Sequence, residues 1–339
     1  MNIAEYLYRT AALTPSREAL FWGETCVADY GAFLERAGQV AAWLLAQGSC
    51  KGAPVAIFMK NLPDYLIVQY GIWMAGAVAV PINAKLHGRE AAWIIDNAEA
   101  EIVFCDTGLA LSLLDAGTDA RLMDVQSDAY EVVRSTAPLA QPVTCANDDL
   151  AWLFYTSGTT GRPKGVMITH RMLRSMALCY FVDADQVLPE DAALYAAPLS
   201  HGAGIYNIMH VMVGARHICP LSGGFDEAEI FGLAAHFGRV HMFAAPTMVK
   251  RMTLAAKAAG VKGEGLRSIV YAGGPMYNAD IIEAVEYFGP VFLQIYGQGE
   301  CPMAITALSR QDVTERRHPD WQARLKSVGR AQSAVEVRI

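Results

Sequence analysis

The feature that most constrains the fold is a regular alternation of helical patterns with short, continuous apolar runs. A helical pattern runs through Ala46 and ends at Gly48, and strands and helices then alternate over residues 54–59, 63–75, 77–81, 89–98 and 102–105. Apolar strands separated by helices pair in parallel, with both faces of their sheet covered. The pattern therefore predicts an α/β fold with doubly wound, mostly parallel sheets.

A second α/β segment follows a connecting region at residues 125–149, which is rich in Ser, Thr, Pro, Ala and Asp. Its strand candidates are residues 152–155, 194–198, 217–220, 240–244, 269–272 and 291–295. Beyond Arg310 we expect a charged loop and then a final strand at 334–339. The chain should therefore form two doubly wound subdomains, residues 1–34 with 190–316 and residues 35–182, with the beginning of a β-barrel at 317–339.

Composition narrows the range of partners. The 339 residues carry a net charge of −7 and contain no run rich in Lys or Arg, which argues against nucleic acid as the main partner. Seven scattered cysteines without C-x-x-C spacing, and no secretory signal, indicate a reduced, cytoplasmic protein. The most apolar stretch, 65–83, contains Gln69, Gly76 and Pro81 and divides into a helix and a strand. We therefore expect no transmembrane segment.

The strongest local signal is the string YTSGTTGRPKG at residues 155–165, directly after an apolar strand. Gly, Ser and Thr in such a loop can turn backbone N–H groups and hydroxyls toward a phosphate, and Lys164 adds a mobile positive charge. The chain has neither a Walker A loop nor a G-x-G-x-x-G motif. An ordinary Gly/Ser loop is the alternative interpretation.

At this string the chain resembles the adenylate-forming superfamily, which includes acyl- and aryl-CoA synthetases, luciferases and the adenylation domains of peptide synthetases. Further matches follow in the same order: PLSHG at 198–202, AGGPM at 272–276, YGQGE at 296–300 and SVGR at 327–330, with weaker ones at 61–64 and 76–81. The resemblance implies ATP- and Mg²⁺-dependent activation of a carboxylic acid to an acyl-adenylate, followed by thioester formation with CoA.

The resemblance also implies roles for particular residues. The ATP phosphates would be held by Thr156, Ser157, Gly158, Thr159, Thr160, Gly161 and Lys164. The adenine would lie against Gly273, Gly274, Pro275, Tyr296 and Gly297. Glu300 would bind Mg²⁺, and together with Lys164 and His201 it forms the implied catalytic set.

His201 would gate the carboxylate site. The implied acyl pocket comprises Gly202, Ala203, Gly204, Ala244, Ala245 and Thr247. Residues 202–213 and 243–248 are apolar or small apart from Asn207, His210 and Thr247, which favours a fatty or aryl acid. His236 and His241 lack a third metal ligand nearby, so 240–243 is interpreted as part of a strand.

Two departures from the family pattern bear on activity. Gly299 stands where the family usually has Thr, which removes one hydroxyl contact to the α-phosphate. The sequence stops at Ile339, before the family's ribose-binding aspartate and its C-terminal domain with a catalytic lysine. We therefore expect an N-terminal part that lacks full activity. A ligase that loads a carrier protein and a non-catalytic nucleotide- or acyl-binding fragment stay open as alternatives, as does a homodimer.

Overall fold

The computed structural model describes residues 1–156 and 163–338 and confirms a mixed α/β fold with two mostly parallel sheets. In chain order the first elements are α1 (Glu5–Leu13), β1 (Glu18–Trp22), β2 (Thr25–Asp29), α2 (Tyr30–Ala46), β3 (Pro54–Phe58), α3 (Pro63–Met74), β4 (Val78–Pro81), α4 (Gly88–Asn97), β5 (Ile102–Cys105), α5 (Thr107–Ala116), β6 (Arg121–Asp124), a 3₁₀ turn (Asp128–Tyr130), α6 (Glu131–Arg134), β7 (Leu150–Thr156) and β8 (Lys164–Thr169).

The remaining elements begin with a helix that ends in a wider turn. They are α7 (His170–Cys179), a π-helical turn (Tyr180–Ala184), β9 (Ala192–Leu194), α8 (Gly202–Ile205), α9 (Asn207–Val213), β10 (Arg216–Cys219), α10 (Glu227–Phe237), β11 (Val240–Ala244), α11 (Pro246–Ala259), β12 (Leu266–Tyr271), α12 (Asn278–Phe288), β13 (Phe292–Gln298), β14 (Cys301–Leu308), α13 (Arg310–Thr314), α14 (Trp321–Lys326) and β15 (Arg330–Ala331).

Side-chain caps explain why several helices begin where they do. Asp29, Asp106 and Asp226 precede α2, α5 and α10, and each carboxylate accepts a hydrogen bond from a backbone N–H of the first turn. Such a cap satisfies a donor that has no partner within the helix. These aspartates therefore fix where the helices leave their strands.

The chain divides into two compact units. The first comprises Met1–Leu20, Cys26–Arg174 and Pro198–His201, and the second comprises Phe21–Thr25, Ser175–Ala197 and the chain from Gly202 onward. This division differs from the expected grouping of residues 1–34 with 190–316, which stays a prediction. The N-terminus joins the first unit because α1 packs on α2 and the Asn2 side chain donates to the carbonyl oxygen of Val143 at 3.0 Å.

The first unit is built on a six-stranded sheet in the order β6-β5-β3-β4-β7-β8. All neighbours pair in parallel except β7 and β8, which are consecutive in the chain and form an antiparallel pair. Helix α3 is apolar and buried on nearly every side, as expected for a helix inside a covered sheet. Among the described helices none is long and apolar enough to cross a membrane, and 65–83 divides into α3 and β4 as predicted.

The second unit contains a sheet in which β10, β9, β11, β12 and β13 pair in parallel in that order. Strand β14 then pairs antiparallel with β13, and β15 with β14. The carboxyl ends of β11, β12 and β13 consequently lie side by side at one edge. Ligands of parallel α/β sheets commonly bind outside this edge.

The C-terminal region differs from the sequence-based expectation. The region predicted as a charged loop beyond Arg310 forms α13 and α14, and the predicted strand at 334–339 is absent over residues 334–338. Instead the backbone N–H and the hydroxyl of Ser333 both donate to the Asp183 carboxylate at 2.8 Å, and residues 332–335 turn. Alternating polarity alone did not reveal that the chain turns here. Strand β9 also differs from the prediction: it ends at Leu194, whereas the predicted strand began there and ran to residue 198.

Candidate functional site

The β7–β8 hairpin positions two of the candidate phosphate-binding residues. Thr156 and Lys164 are direct partners in the antiparallel register, and Lys164 is exposed. The other candidates in this loop, which lie outside the described residues, are Ser157, Gly158, Thr159, Thr160 and Gly161. The two ends of the loop are therefore held side by side, with the lysine ammonium free to reach solvent.

Tyr155 anchors the base of this hairpin. Its hydroxyl donates to Asn97 Oδ1 at 2.8 Å, and its ring packs edge-on against Trp93. A Cβ atom on Gly165 would lie 3.0 Å from the Tyr155 ring, so any larger residue directly after Lys164 would have to displace this ring slightly. The apolar-looking Tyr155 thus fixes the hairpin next to the loop, a role that only the tertiary contacts reveal.

His201 lies in the loop at 198–201, which belongs to the first unit. Asn61 Oδ1 accepts the backbone N–H of Leu199 at 2.9 Å, which joins the sequence motifs at 61–64 and 198–202. His201 Nδ1 is 3.0 Å from the Ser200 hydroxyl, and Phe154 packs edge-on against the imidazole at 5.7 Å. The ring keeps an exposed face, yet the atoms around it remove enough water to lower the His201 pKa. An uncharged ring of this kind suits a gate better than a fixed cation.

In the second unit, the candidate adenine-binding glycines follow β12 at the sheet edge. Gly273 has a φ of +84°, a left-handed conformation that favours glycine, and Gly273, Gly274 and Pro275 are exposed. A Cβ atom on Gly273 would lie 3.9 Å from the Phe243 ring, and one on Gly274 would lie 3.9 Å from Pro246. The segments after β11 and β12 therefore adjoin, and their exposed backbone leaves room for a flat ring.

Gly297 lies on the neighbouring strand, β13, and faces the unusual residue Met303. A Cβ atom on Gly297 would come within 2.3 Å of the Met303 backbone nitrogen, so no other residue fits there. Met303 itself has a φ of +63°, which is rare for a residue with a side chain. Its sulfur lies 3.2 Å from the Cβ position of Gly202. Sequence reasoning missed Met303, because no local pattern marks a methionine for a left-handed backbone.

Tyr296 and Glu300 lie on either side of Gly297 in the sequence. Tyr296 is half-buried near the end of β13, and its hydroxyl accepts a hydrogen bond from Gln298 Nε2 at 2.8 Å. Glu300 is exposed in the two-residue turn between β13 and β14. A single exposed carboxylate fits Mg²⁺, which is usually held by one or two carboxylates together with phosphate oxygens and water.

A narrow pocket lies within the second unit; its free volume of about 10 Å³ is roughly the room that one water-sized group needs. Of the residues expected around the acyl group, Ala203 lines this pocket, and the buried Gly204 is its neighbour in α8. The described lining residues do not include Ala244, Ala245 or Thr247. Ala244 packs in the core of the unit, and Thr247 is exposed at the start of α11. Side chains from the π-helical turn, α9 and the middle of β11 line the pocket instead.

A buried carboxylate, Asp191, organises the polar side chains next to this pocket. Its oxygens accept hydrogen bonds from Arg239 Nε at 2.7 Å, His241 Nε2 at 3.0 Å and the backbone N–H of Leu188 at 2.8 Å. Burial by itself raises the pKa of Asp191, but the hydrogen bonds from His241 and Leu188 and the nearby Arg267 guanidinium outweigh it and hold the pKa below its ordinary value. Asp191 therefore carries its charge throughout the neutral range and orients His241.

Comparison with known proteins places these features in a family. The family model described as "AMP-binding enzyme" matches residues 7–339. A feruloyl-CoA synthase from Amycolatopsis sp is 29% identical over 93% of this chain and 63% of its own length. The long-chain-fatty-acid–CoA ligase FadD13 of Mycobacterium tuberculosis is 30% identical over 84% of this chain and 59% of its own length.

Among solved structures, the inhibitor-bound N-terminal domain of FACL13 from Mycobacterium tuberculosis matches with a TM-score of 0.86 and 28% identity. The match covers 98% of this chain and 82% of that one. The chain spans about three fifths of the length of the curated relatives it matches. The superfamily resemblance predicted from the ordered motifs is confirmed, and the chain belongs to the AMP-binding enzyme family.

Proposed function

We propose that this protein activates a carboxylic acid with ATP and then transfers the acyl group to the thiol of CoA. The similar proteins are named as CoA ligases or synthases, and their named acids range from ferulate to long-chain fatty acids. The observation that carries the proposal is the sheet edge at β11–β13, where the exposed glycines Gly273 and Gly274 follow β12, a strand paired in parallel with both of its neighbours. This is the position at which α/β sheets bind nucleotides.

In the first step a carboxylate oxygen of the acid attacks the α-phosphorus of ATP, and pyrophosphate leaves. Lys164 and Thr156, side by side in the β7–β8 register, would hold the phosphates as negative charge develops. Gly273 and Gly274 would let the backbone approach the adenine ring, with Tyr296 against its face. Mg²⁺ bound at Glu300 would neutralise charge on the phosphates.

In the second step the CoA thiol loses its proton to solvent, its sulfur attacks the acyl carbonyl carbon, and AMP leaves with the electron pair of the acyl–phosphate bond. The neutral His201 would act by occupying or vacating the path to the carboxylate rather than by transferring a proton. No covalent bond to the protein is needed in either step, so the contribution of the chain is positioning and charge stabilisation.

Acid-dependent exchange of labelled pyrophosphate into ATP tests the proposal, because it reports the first step alone. We expect exchange with one or more acids of a fatty and aryl panel, and a loss of about 10²–10³-fold in Lys164→Ala. Lys250→Ala is the matched control, since Lys250 is an exposed lysine of the second unit whose ammonium lies 3.2 Å from Asp280 Oδ1, away from the β7–β8 hairpin in the sequence.

No exchange with any acid would refute the proposed activity, and a Lys164→Ala protein within about twofold of the control would refute the phosphate-binding role. Supplying CoA or a pantetheine-bearing carrier protein to the preformed adenylate then distinguishes the two acceptor thiols. Thioester formed only on the carrier would replace CoA as the acceptor and leave the first step intact.

A further inference from the structure

The pocket in the second unit contains an unusual group of polar atoms. Four of its lining residues are Tyr180, Tyr206, His210 and His241, each at most 5% exposed. Within the described residues, both tyrosine hydroxyls, His210 Nε2 and His241 Nδ1 have no hydrogen-bond partner. Buried polar atoms are nearly always paired, so four unpaired ones around a single pocket require an explanation.

These residues are in contact with one another rather than scattered. The rings of Tyr180 and Tyr206 lie 5.5 Å apart, and those of His210 and His241 lie 5.2 Å apart, both pairs edge-on. Most of the other lining side chains are apolar: Ala193, Leu194, Ala203, Met242, Phe243 and Val270. The polar atoms therefore border an otherwise apolar space, which is the usual composition of a ligand pocket.

The hydrogen-bond partner of His210 fixes its tautomer. His210 Nδ1 lies 2.8 Å from the backbone carbonyl oxygen of Tyr206, which can only accept. The Nδ1 atom must therefore carry the proton, and Nε2 is left as a bare acceptor. Burial lowers the pKa of His210 to about 3, so the ring stays neutral and Nε2 stays unprotonated near neutral pH.

The same reasoning applies to His241. Its Nε2 atom lies 3.0 Å from the Asp191 carboxylate, which can only accept, and also 3.1 Å from Arg267 Nη1. A bare Nε2 would set a lone pair against a buried carboxylate, whereas a protonated one donates to it. Nε2–H is therefore favoured, and Nδ1 is a second bare acceptor. Burial lowers the pKa of His241 despite the Asp191 carboxylate, which keeps this ring neutral as well.

We propose that this pocket selects acids that carry a hydrogen-bond donor, a hydroxyl or an N–H, at a distance from the carboxylate that is activated. The inference rests on the proposed acid activation and narrows its substrate class. Two bare imidazole nitrogens require a donor, and the two tyrosine hydroxyls can either donate to or accept from the same group. A purely hydrocarbon chain would enclose all four atoms without a partner, which disfavours its binding.

Non-hydrolysable acyl-adenylate mimics, in which an N-acylsulfamate replaces the acyl phosphate, test this at the binding level. Three matched pairs serve as probes: 4-hydroxybenzoyl with benzoyl, 4-hydroxycinnamoyl with cinnamoyl, and 8-hydroxyoctanoyl with octanoyl. Calorimetry gives the ratio of dissociation constants within each pair. We expect the hydroxylated member of one or more pairs to bind about tenfold more tightly, as one or two well-paired hydrogen bonds provide.

Three variants identify the atoms responsible. His210→Phe removes a bare acceptor at similar volume, and Tyr206→Phe removes one hydroxyl without changing the ring. Each of these two variants should bring the ratio of dissociation constants within the preferred pair toward one. Tyr271→Phe is the matched control, since Tyr271 has a buried hydroxyl without a partner among the described residues but does not line the pocket. Its ratio should equal that of the wild type.

The outcomes separate the two proposals. If every pair binds with a ratio within about twofold, the inference is overturned and ordered water, rather than substrate, satisfies the four atoms. If the preference exists but survives both His210→Phe and Tyr206→Phe, the donor is recognised elsewhere and the inference is likewise overturned. If no mimic binds at all, the proposed acid activation fails, and this inference fails with it.

Discussion

Replacing Asp191 with asparagine tests the buried network most directly. An amide offers one acceptor oxygen where the carboxylate offers two, so its NH₂ group must face either Arg239 Nε or the donors of Leu188 and His241. Removing one partner of a buried ion pair typically costs about 3–5 kcal/mol. Because the Arg239 side chain is 42% exposed and can be rehydrated, we expect the lower end, about 3 kcal/mol at pH 7.

Urea unfolding of both proteins between pH 7 and pH 3 measures this difference. The pKa of Asp191 is lower in the folded than in the unfolded state, so its stabilisation is complete above pH 4 or so, near the unfolded pKa. It is lost as the pH falls below that value. The difference between wild type and Asp191→Asn should therefore be constant from pH 7 to about 5 and shrink toward pH 3.

Glu227→Gln is the matched control, because Glu227 also accepts a short hydrogen bond from an arginine, Arg251 at 2.8 Å, but at the surface. Exposed pairs of this kind contribute about 0–1 kcal/mol. The reasoning would be refuted if Asp191→Asn cost no more than Glu227→Gln at pH 7, or if its cost did not decrease at pH 3.

Three further predictions concern the metal, the acyl pocket and the histidines. Glu300→Gln should lose most of the Mg²⁺ dependence of ATP binding with an unchanged melting temperature; a lower melting temperature with intact metal dependence would indicate a structural role. Ala203→Phe should shift the ratio of adenylation rates toward short acids, despite a stability loss of about 1–3 kcal/mol; an unchanged ratio would make Ala203 a packing residue. Burial lowers the pKa values of five histidines, and for the four that are at most 2% exposed the free energy of unfolding should fall by about 1.4 kcal/mol per pH unit for each one as the pH drops below about 6.5. Urea titrations at pH 7.5 and 5.5 check this, and equal stabilities would contradict it; the four are His170, His210, His217 and His241.

Most of the parallel strands were predictable because each is a short apolar run whose burial requires an extended, covered element. The more polar strands Thr25–Asp29, Arg121–Asp124 and Lys164–Thr169 were not among those predicted. Ile102–Cys105 and Val240–Ala244 have the predicted bounds, and the histidine in the second run lies in a strand as expected. The C-terminal strand was wrong because alternation at 334–338 competes with turn contacts to Asp183, a residue about 150 positions earlier. The local sequence around residues 334–338 contains no information about hydrogen bonds to a residue so far away in the chain.

The motif positions were predictable, but the polar environment of the pocket beside Ala203 was not. Ala203 follows directly from its place after His201, whereas Tyr180 lies on a helix that has no matching motif. His210 was noticeable only as a polar exception in an apolar stretch. Its tautomer depends on a carbonyl one helical turn away, and that of His241 on the distant Asp191. Which nitrogen of each imidazole carries the proton is therefore determined by tertiary contacts and cannot be inferred from the sequence.

The π-helical turn at Tyr180–Ala184 has a consequence for how acyl preference can diverge among related proteins. Such a turn accommodates one residue more than an α-helix does, and each residue rotates an α-helix by about 100°. Deleting one residue before Tyr180 would therefore turn its phenol away from the pocket and bring a neighbouring side chain toward it. For the acyl-binding role proposed for this pocket, a change in chain length by a single codon, with no substitution at any lining position, would then alter the substrate range.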